Sequence, residues 1–234
     1  MIRRTLDPTF LNSVANHPEV RPWIGGDRAS ELDFTIPLRD IRNIGIEADG
    51  GGWVLFQAAP GDYDLHTLFL KAGRGKSYFR AAREALRMVF SETDACEIMT
   101  KCPADNPGAH SAALLMGFRS RFEMTEAPGI PQGATFYTFT IDDWCARDAE
   151  GLRIGTEFRA SAGLSENEAH ARALGCTILM LRAGQPQKAA GFFNRWARFA
   201  GFAQIELLGQ NLVRVQDAIV HVKPESIEVL ISGE

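Results

Sequence analysis

The amino-acid sequence predicts an α+β (mixed α/β) fold in two parts. Three observations lead there. Strand-like and helix-like patterns alternate through residues 1–143, an amphipathic segment at 76–91 joins two of the strands, and composition changes after Trp144. A crossover helix between strands makes parallel neighbours, so the first part should hold a central mixed sheet flanked by helices. The second part, 144–234, should be a smaller C-terminal α+β unit of helices packed on a small meander.

The elements follow in chain order. "MIRRTL" is a short strand, and Asp7-Pro8 opens a helix carrying Phe10, Leu11 and Val14. "NHPEVRPWIGG" stops any helix with its prolines and glycines, and Trp23 within it is expected to pack. Residues 43–48, 52–58 and 62–70 read as three strands, with the triple glycine 50–52 marking the first hairpin. In 76–91, Phe79, Ala82, Leu86 and Val89 recur at helical spacing, with Arg80, Arg83 and Arg87 elsewhere on the surface. "CEIMTKC" is the next strand. Asn106 then caps a helix with Pro107 in its first turn and Gly117 at its stop. "SRFEM" and "ATFYTFTI" complete the first part.

In the second part, Ser165-x-x-Glu168 reads as a capping box opening a helix to Ala183. Gly184 ends it and Pro186 starts another, whose stripe of Phe192, Trp196 and Phe199 should be buried. The tail alternates well enough for three or four antiparallel strands. The expected core is Leu174, Ile178, Leu181, Phe192, Trp196, Phe199, Ile205, Val220 and Val229.

Composition narrows the function. The 234-residue chain is 45% hydrophobic and 23% charged, with a net charge of −4 that gives no reason to expect a nucleic-acid partner. No apolar run is long enough to span a bilayer, and the start lacks a secretory pattern, so no membrane partner is expected. The four cysteines, Cys96, Cys102, Cys145 and Cys176, lack zinc-site spacing, so no metal is expected. A reducing, cytoplasmic compartment follows as the default.

"NPGAHSAALLMGF", 106–118, resembles the N-x-x-A…G-F segment of the GNAT superfamily of N-acetyltransferases, through Asn106, Ala109, Gly117 and Phe118. "DLHTLFL", 64–70, resembles that family's fourth strand, with Asp64 at its acidic position. The likeness spans 1–143 and implies a GNAT-like central sheet whose fourth and fifth strands splay around acetyl-CoA. It leaves 144–234 with no assigned role.

By this resemblance "GRGKS" is a pyrophosphate loop, in which Gly73, Arg74, Gly75, Lys76 and Ser77 would bind the cofactor. Leu68 and Leu70 on the strand and Asn106 beside the cleft would join them. The physics agrees, since a helix N-terminus offers free N–H groups and partial positive charge to an anion. Taken alone, the same residues are a strand-to-helix turn. Two departures stand out. In one frame Ser77 and Phe79 replace the family's glycines, and in the other Leu70 replaces its Gln/Arg. Ala113 stands where many members carry a tyrosine that protonates the departing thiolate. Asp64 and His66 share a strand face and are the candidate bases. Each also has a plain reading, as a strand-edge carboxylate and a hydrogen-bonded core histidine.

Two functions remain open. One is an acetyl-CoA-dependent N-acetyltransferase, weak or inactive, acting on an unidentified amine. The other comes from a narrower resemblance of "NHPEVRPWIGG", 66–86 and 100–122 to phage-encoded GNAT-like proteins, some of them carried in virions of short-tailed phages. That likeness implies a non-catalytic protein in the virion or host cytoplasm, contacting phage structural or host proteins.

Overall fold

The structure, a computed structural model, describes all residues except 25–29, 127–129, 131, 165–166, 216–217, 224–225 and 232–234, with backbone alone at 218, 227, 229 and 231. It divides into two compact units, 1–86 with 95–140, and 87–94 with 141–234.

The first unit runs β1 (Arg3–Thr5), α1 (Thr9–Ala15), α2 (Thr35–Arg39), β2 (Ile44–Ala48), β3 (Gly51–Ala59) and β4 (Asp62–Phe69). It continues with α3 (Lys76–Glu92), β5 (Glu97–Pro103), α4 (Pro107–Met116), β6 (Arg119–Met124) and β7 (Ala134–Thr140). These strands form a seven-stranded sheet in the order β1-β2-β3-β4-β5-β7-β6. Every neighbouring pair is antiparallel except β4 and β5, which run parallel. That exception has a cause in the chain, because α3 carries it back across the sheet between them. A large mixed sheet flanked by helices is the arrangement the sequence predicted.

One face of the sheet is closed by a cluster of Leu11, Val14, Ala15, Val20, Phe34, Leu38, Val54 and Leu68. On the other face Trp53, Phe69 and Tyr78 meet as tilted and edge-on rings 4.8–5.9 Å apart. The triple glycine turns β2 into β3 through Gly50 at φ 75°. Gly51 is needed for a different reason, since a Cβ there would lie 2.1 Å from the Leu68 carbonyl oxygen. Helix α4 is built as its ends predicted. The Asn106 side chain accepts from Ala109 N, Pro107 sits in the first turn, and Gly117 closes the helix in the left-handed region at φ 92°. Trp23, expected to pack, is 42% exposed.

The second unit contains the last turns of α3, then α5 (Ile141–Cys145), α6 (Ala149–Ser161), α7 (Glu168–Arg182) and α8 (Pro186–Ala200). A four-stranded antiparallel meander follows: β8 (Ile205–Leu207), β9 (Leu212–Val215), β10 (Ala218–Val222) and β11 (Ile227–Ile231). Within this unit Phe90 stacks on Trp144 at 5.8 Å, and the Lys188 ammonium donates to the carbonyls of Phe90 and Thr93.

Two expectations change here. The cap of α7 is Asn167, whose side chain accepts from His170 N at 2.9 Å, while Ser165 lies outside the described residues. Phe199 is 95% exposed, whereas Phe192 and Phe193 are buried. The buried residues of α8 include Phe192, Phe193, Ala189 and Ala197; Phe199 shares the side of Phe192, one heptad on, but stands in the last turn before Gly201 ends the helix. Phe202, beyond the helix, packs instead, stacking on His170 at 4.5 Å and on Trp196 at 5.2 Å. Of the predicted core, Leu174, Ile178, Leu181, Phe192, Ile205 and Val220 are buried. Trp196 is half-buried, and the Val229 side chain lies outside the description.

Helices α6 and α7 approach until their backbones touch. A Cβ on Gly155 would lie 1.7 Å from the Ala171 carbonyl oxygen, and one on Gly175 1.6 Å from that of Gly151. Gly175→Ala should therefore force the helices apart, costing about 3 kcal/mol of overpacking against about 1 kcal/mol gained in helix propensity. Gly191, in α8, has nothing within 4 Å of its Cβ position. Gly191→Ala should stabilise by about 0.5–1 kcal/mol. Urea unfolding of the two variants checks both signs.

Candidate active site

The site begins where two strands part. Parallel pairing of β4 with β5 runs from Asp62↔Glu97 to Leu65↔Thr100 and stops, although β4 continues to Phe69 and β5 to Pro103. The Thr100 hydroxyl donates to the Leu65 carbonyl at 3.0 Å and closes the last rung. Backbone groups alternate along a strand, so those of Thr67 and Phe69 also turn toward β5, where no partner strand follows. The Phe69 carbonyl is taken by the Arg74 guanidinium, which donates to it through Nε at 3.2 Å and Nη2 at 3.0 Å. Leu68 and Leu70 send their side chains to the hydrophobic cluster behind the sheet, so only their backbones could meet a ligand.

The loop between β4 and α3 divides its residues between two tasks. Gly73 is structural, since a Cβ there would lie 2.9 Å from the Gly50 carbonyl oxygen. Gly75 holds φ 91° with open space beside it. The first α3-type bond is Phe79 N to the Gly75 carbonyl, at 3.2 Å. Among the described residues, the N–H groups of Gly75, Lys76, Ser77 and Tyr78 meet no acceptor. Arg74, Lys76 and Ser77 are exposed, and the first turn of α3 carries no acidic residue. A lysine at a helix N-terminus opposes the macrodipole, an arrangement that favours an arriving anion. The loop already attracts one carboxylate. Glu19 accepts the Lys71 N–H at 2.9 Å, and that bond above all holds its carboxyl below the usual range. Phe79 is half-buried, its ring 5.1 Å from that of Tyr78.

Asp64 and His66 lie side by side, with Nε2 to Oδ2 at 3.8 Å. Lys101 of β5 joins them, donating to Asp64 Oδ2 at 2.6 Å. The register explains the meeting, because Asp64 pairs with Met99 and Lys101 is the next residue on that face. Burial pushes the His66 imidazolium below its ordinary range; Asp64 opposes the shift and Lys101 adds to it. His66 is therefore a neutral imidazole near pH 7, with 32% of its side chain exposed. Asp64 is engaged by a cation, so of the two candidates His66 is the better placed to accept a proton.

Asn106 spends its side-chain oxygen on the α4 cap. Ala113 is buried. One turn earlier on that helix, His110 meets Tyr137 of β7 at 2.9 Å. Sequence reasoning missed Lys101, His110, Tyr137 and Glu19. Lys101 stands at an alternate position of a predicted strand, but only the β4/β5 register brings it to Asp64. Among the described residues no group of three or more His, Cys, Asp or Glu side chains could hold a metal ion, and no helix is long and apolar enough to cross a membrane.

No protein-family model matches the chain, and no curated protein does. Similar solved structures are acetyltransferases. A spermidine N-acetyltransferase chimera from Vibrio cholerae and hSSAT is 17% identical, with 63% of this chain and 99% of that one covered and a TM-score of 0.49. The Vibrio cholerae spermidine N-acetyltransferase in complex with CoA and spermine is 17% identical over 62% and 96%, with a TM-score of 0.45. A GNAT-family acetyltransferase from Bacillus anthracis is 15% identical over 59% and 93%, also at 0.45. What bears on function is the parting of β4 from β5 beside a helix N-terminus.

Proposed function

We propose that the first unit is an acyl-CoA-dependent N-acetyltransferase acting on a primary amine. The observation that carries this reading is the parallel pair that stops at Leu65 and Thr100. Beyond it, the Thr67 and Phe69 amides can receive an extended, amide-bearing pantetheine arm as an added strand would be received. The arm then leads to the N-terminus of α3, where the unpartnered N–H groups and Lys76 would meet the pyrophosphate.

On the opposite face His66, neutral, takes a proton from the ammonium of the acceptor, directly or through water. The freed lone pair attacks the thioester carbon, and Asp64 stabilises the imidazolium that results. Positioning of amine against thioester supplies a further share of the rate. One observation favours a non-catalytic reading of the same fold, namely that Lys101 already holds the Asp64 carboxylate.

Calorimetric titration with acetyl-CoA and free CoA separates the two. Binding is expected, and its absence at millimolar CoA would overturn the enzyme reading. Lys76→Ala should weaken CoA binding about two- to fivefold, since an exposed charge at a helix end is worth about 0.3–1 kcal/mol. What remains should be less sensitive to salt.

A further inference from the structure

The sheet face that carries Asp64, His66 and Lys101 continues past them to the edge strand. Lys101 pairs with Phe136 of β7, and Phe136 with Phe122 of β6, so the three form one row. Cross-strand partners share a face. Contact agrees, since Phe122 stacks on Phe136 with centroids 4.4 Å apart and planes 20° from parallel. Met99, the β5 partner of Asp64, packs in the same cluster as Phe136. Met124 pairs with Ala134 of that cluster. Phe136 is buried, but Phe122 is 49% exposed and Met124 39%. An apolar shelf thus starts beside the candidate base and opens at the sheet edge.

The charges along this row set a second condition. Asp64 gives Oδ2 to Lys101, while its buried Oδ1 has no hydrogen-bond partner among the described residues. That oxygen can receive the reacting ammonium next to His66. A second ammonium farther along would find no equivalent. Among the described residues of β5, β6 and β7, Glu97 is the one carboxylate on this face, and it already accepts the Thr138 hydroxyl at 2.5 Å. Glu123 pairs with Thr135 and stands on the opposite face. Lys101 repels a passing cation, and the shelf beyond it lacks acceptors to replace that cation's water.

We propose that the acceptor is a primary amine on an extended apolar body, which lies along Phe122 and Met124, and not a polyamine. This inference rests on the acyltransferase reading above and concerns its acceptor half. Two strand spacings, about 10 Å, separate Lys101 from Phe122, a span that an alkyl chain of about eight carbons covers. Phe122 and Met124 determine specificity and take no part in proton transfer. Lys101 excludes the second charge.

Octylamine and octamethylenediamine test this directly, having the same length and differing in what stands at the far end. With acetyl-CoA, kcat/KM should be at least about tenfold higher for octylamine, although the diamine has two reactive ends. Phe122→Ala should lower kcat/KM for octylamine about tenfold, chiefly through KM, and leave propylamine unchanged because its chain ends short of the ring. Lys101→Gln should raise the diamine-to-octylamine ratio, since any change in His66 titration is common to both substrates. Titration of the two amines into the CoA complex should give the same order of affinity. Equal use of the two amines, a Phe122→Ala loss shared by propylamine, or an unmoved ratio in Lys101→Gln would overturn the assignment while leaving the enzyme reading intact. Acetylation of none of the three amines would overturn that reading, and this one with it.

Discussion

Replacing His66 with glutamine is expected to lower kcat/KM by about 10²–10⁴-fold, the contribution of a general base, while leaving CoA affinity unchanged. Glutamine retains polar contact but cannot take a proton. The pH profile tests the same assignment. Because burial lowers the His66 pKa, the acid limb of kcat/KM should fall below pH 6.5, the ordinary value for histidine. Lys101→Met removes a cation that disfavours the imidazolium and leaves Asp64 free to favour it, so the limb should move to higher pH. The same shift links to stability. A histidine depressed in the folded state adds stability above its unfolded pKa, and that stability is lost as pH falls through the folded one. Unchanged turnover in His66→Gln would remove His66 from the chemistry.

Phe192→Ala should destabilise the second unit by about 3–5 kcal/mol, the range for truncating a buried aromatic. Phe192 is 3% exposed, with the Arg195 guanidinium 5.9 Å from its ring centroid. Truncation therefore leaves a cavity at a buried position of that unit. Phe199→Ala, seven residues on in the same helix, should change stability by less than about 0.5 kcal/mol because that ring faces water. Urea unfolding midpoints of the two variants provide the comparison. Similar losses from both would mean that Phe199 is covered in solution.

The contrast between these two rings shows where sequence reading succeeds and where it stops. Large apolar residues at helical spacing revealed that α8 exists, and Pro186 revealed its start. They did not reveal how far its burial extends, because Phe199 repeats the position of the buried Phe192 one heptad on, yet is exposed in the last turn. Helix α6 went unforeseen for a related reason. Its buried face includes Gly151 and Gly155, and glycine in a single sequence reads as a break. In the first unit the strands and the longer helices were legible because caps, turns and alternation agreed, whereas the five-residue α2 was not read. The Asp64, His66 and Lys101 cluster was only partly so. Asp64 and His66 share a strand, but Lys101 arrives through a register that no local pattern encodes. His110 and Tyr137, 27 residues apart, meet for the same reason.

Helix α3 starts at the loop of the candidate site and ends inside the second unit, to which 87–94 belong. Severing the chain near residue 143 would thus yield a C-terminal fragment without the ring that Trp144 stacks on and the carbonyls that hold Lys188. Neither half is a freely portable module. A C-terminal fragment meant to keep its own core should therefore begin before Arg87, within the helix that starts at the loop.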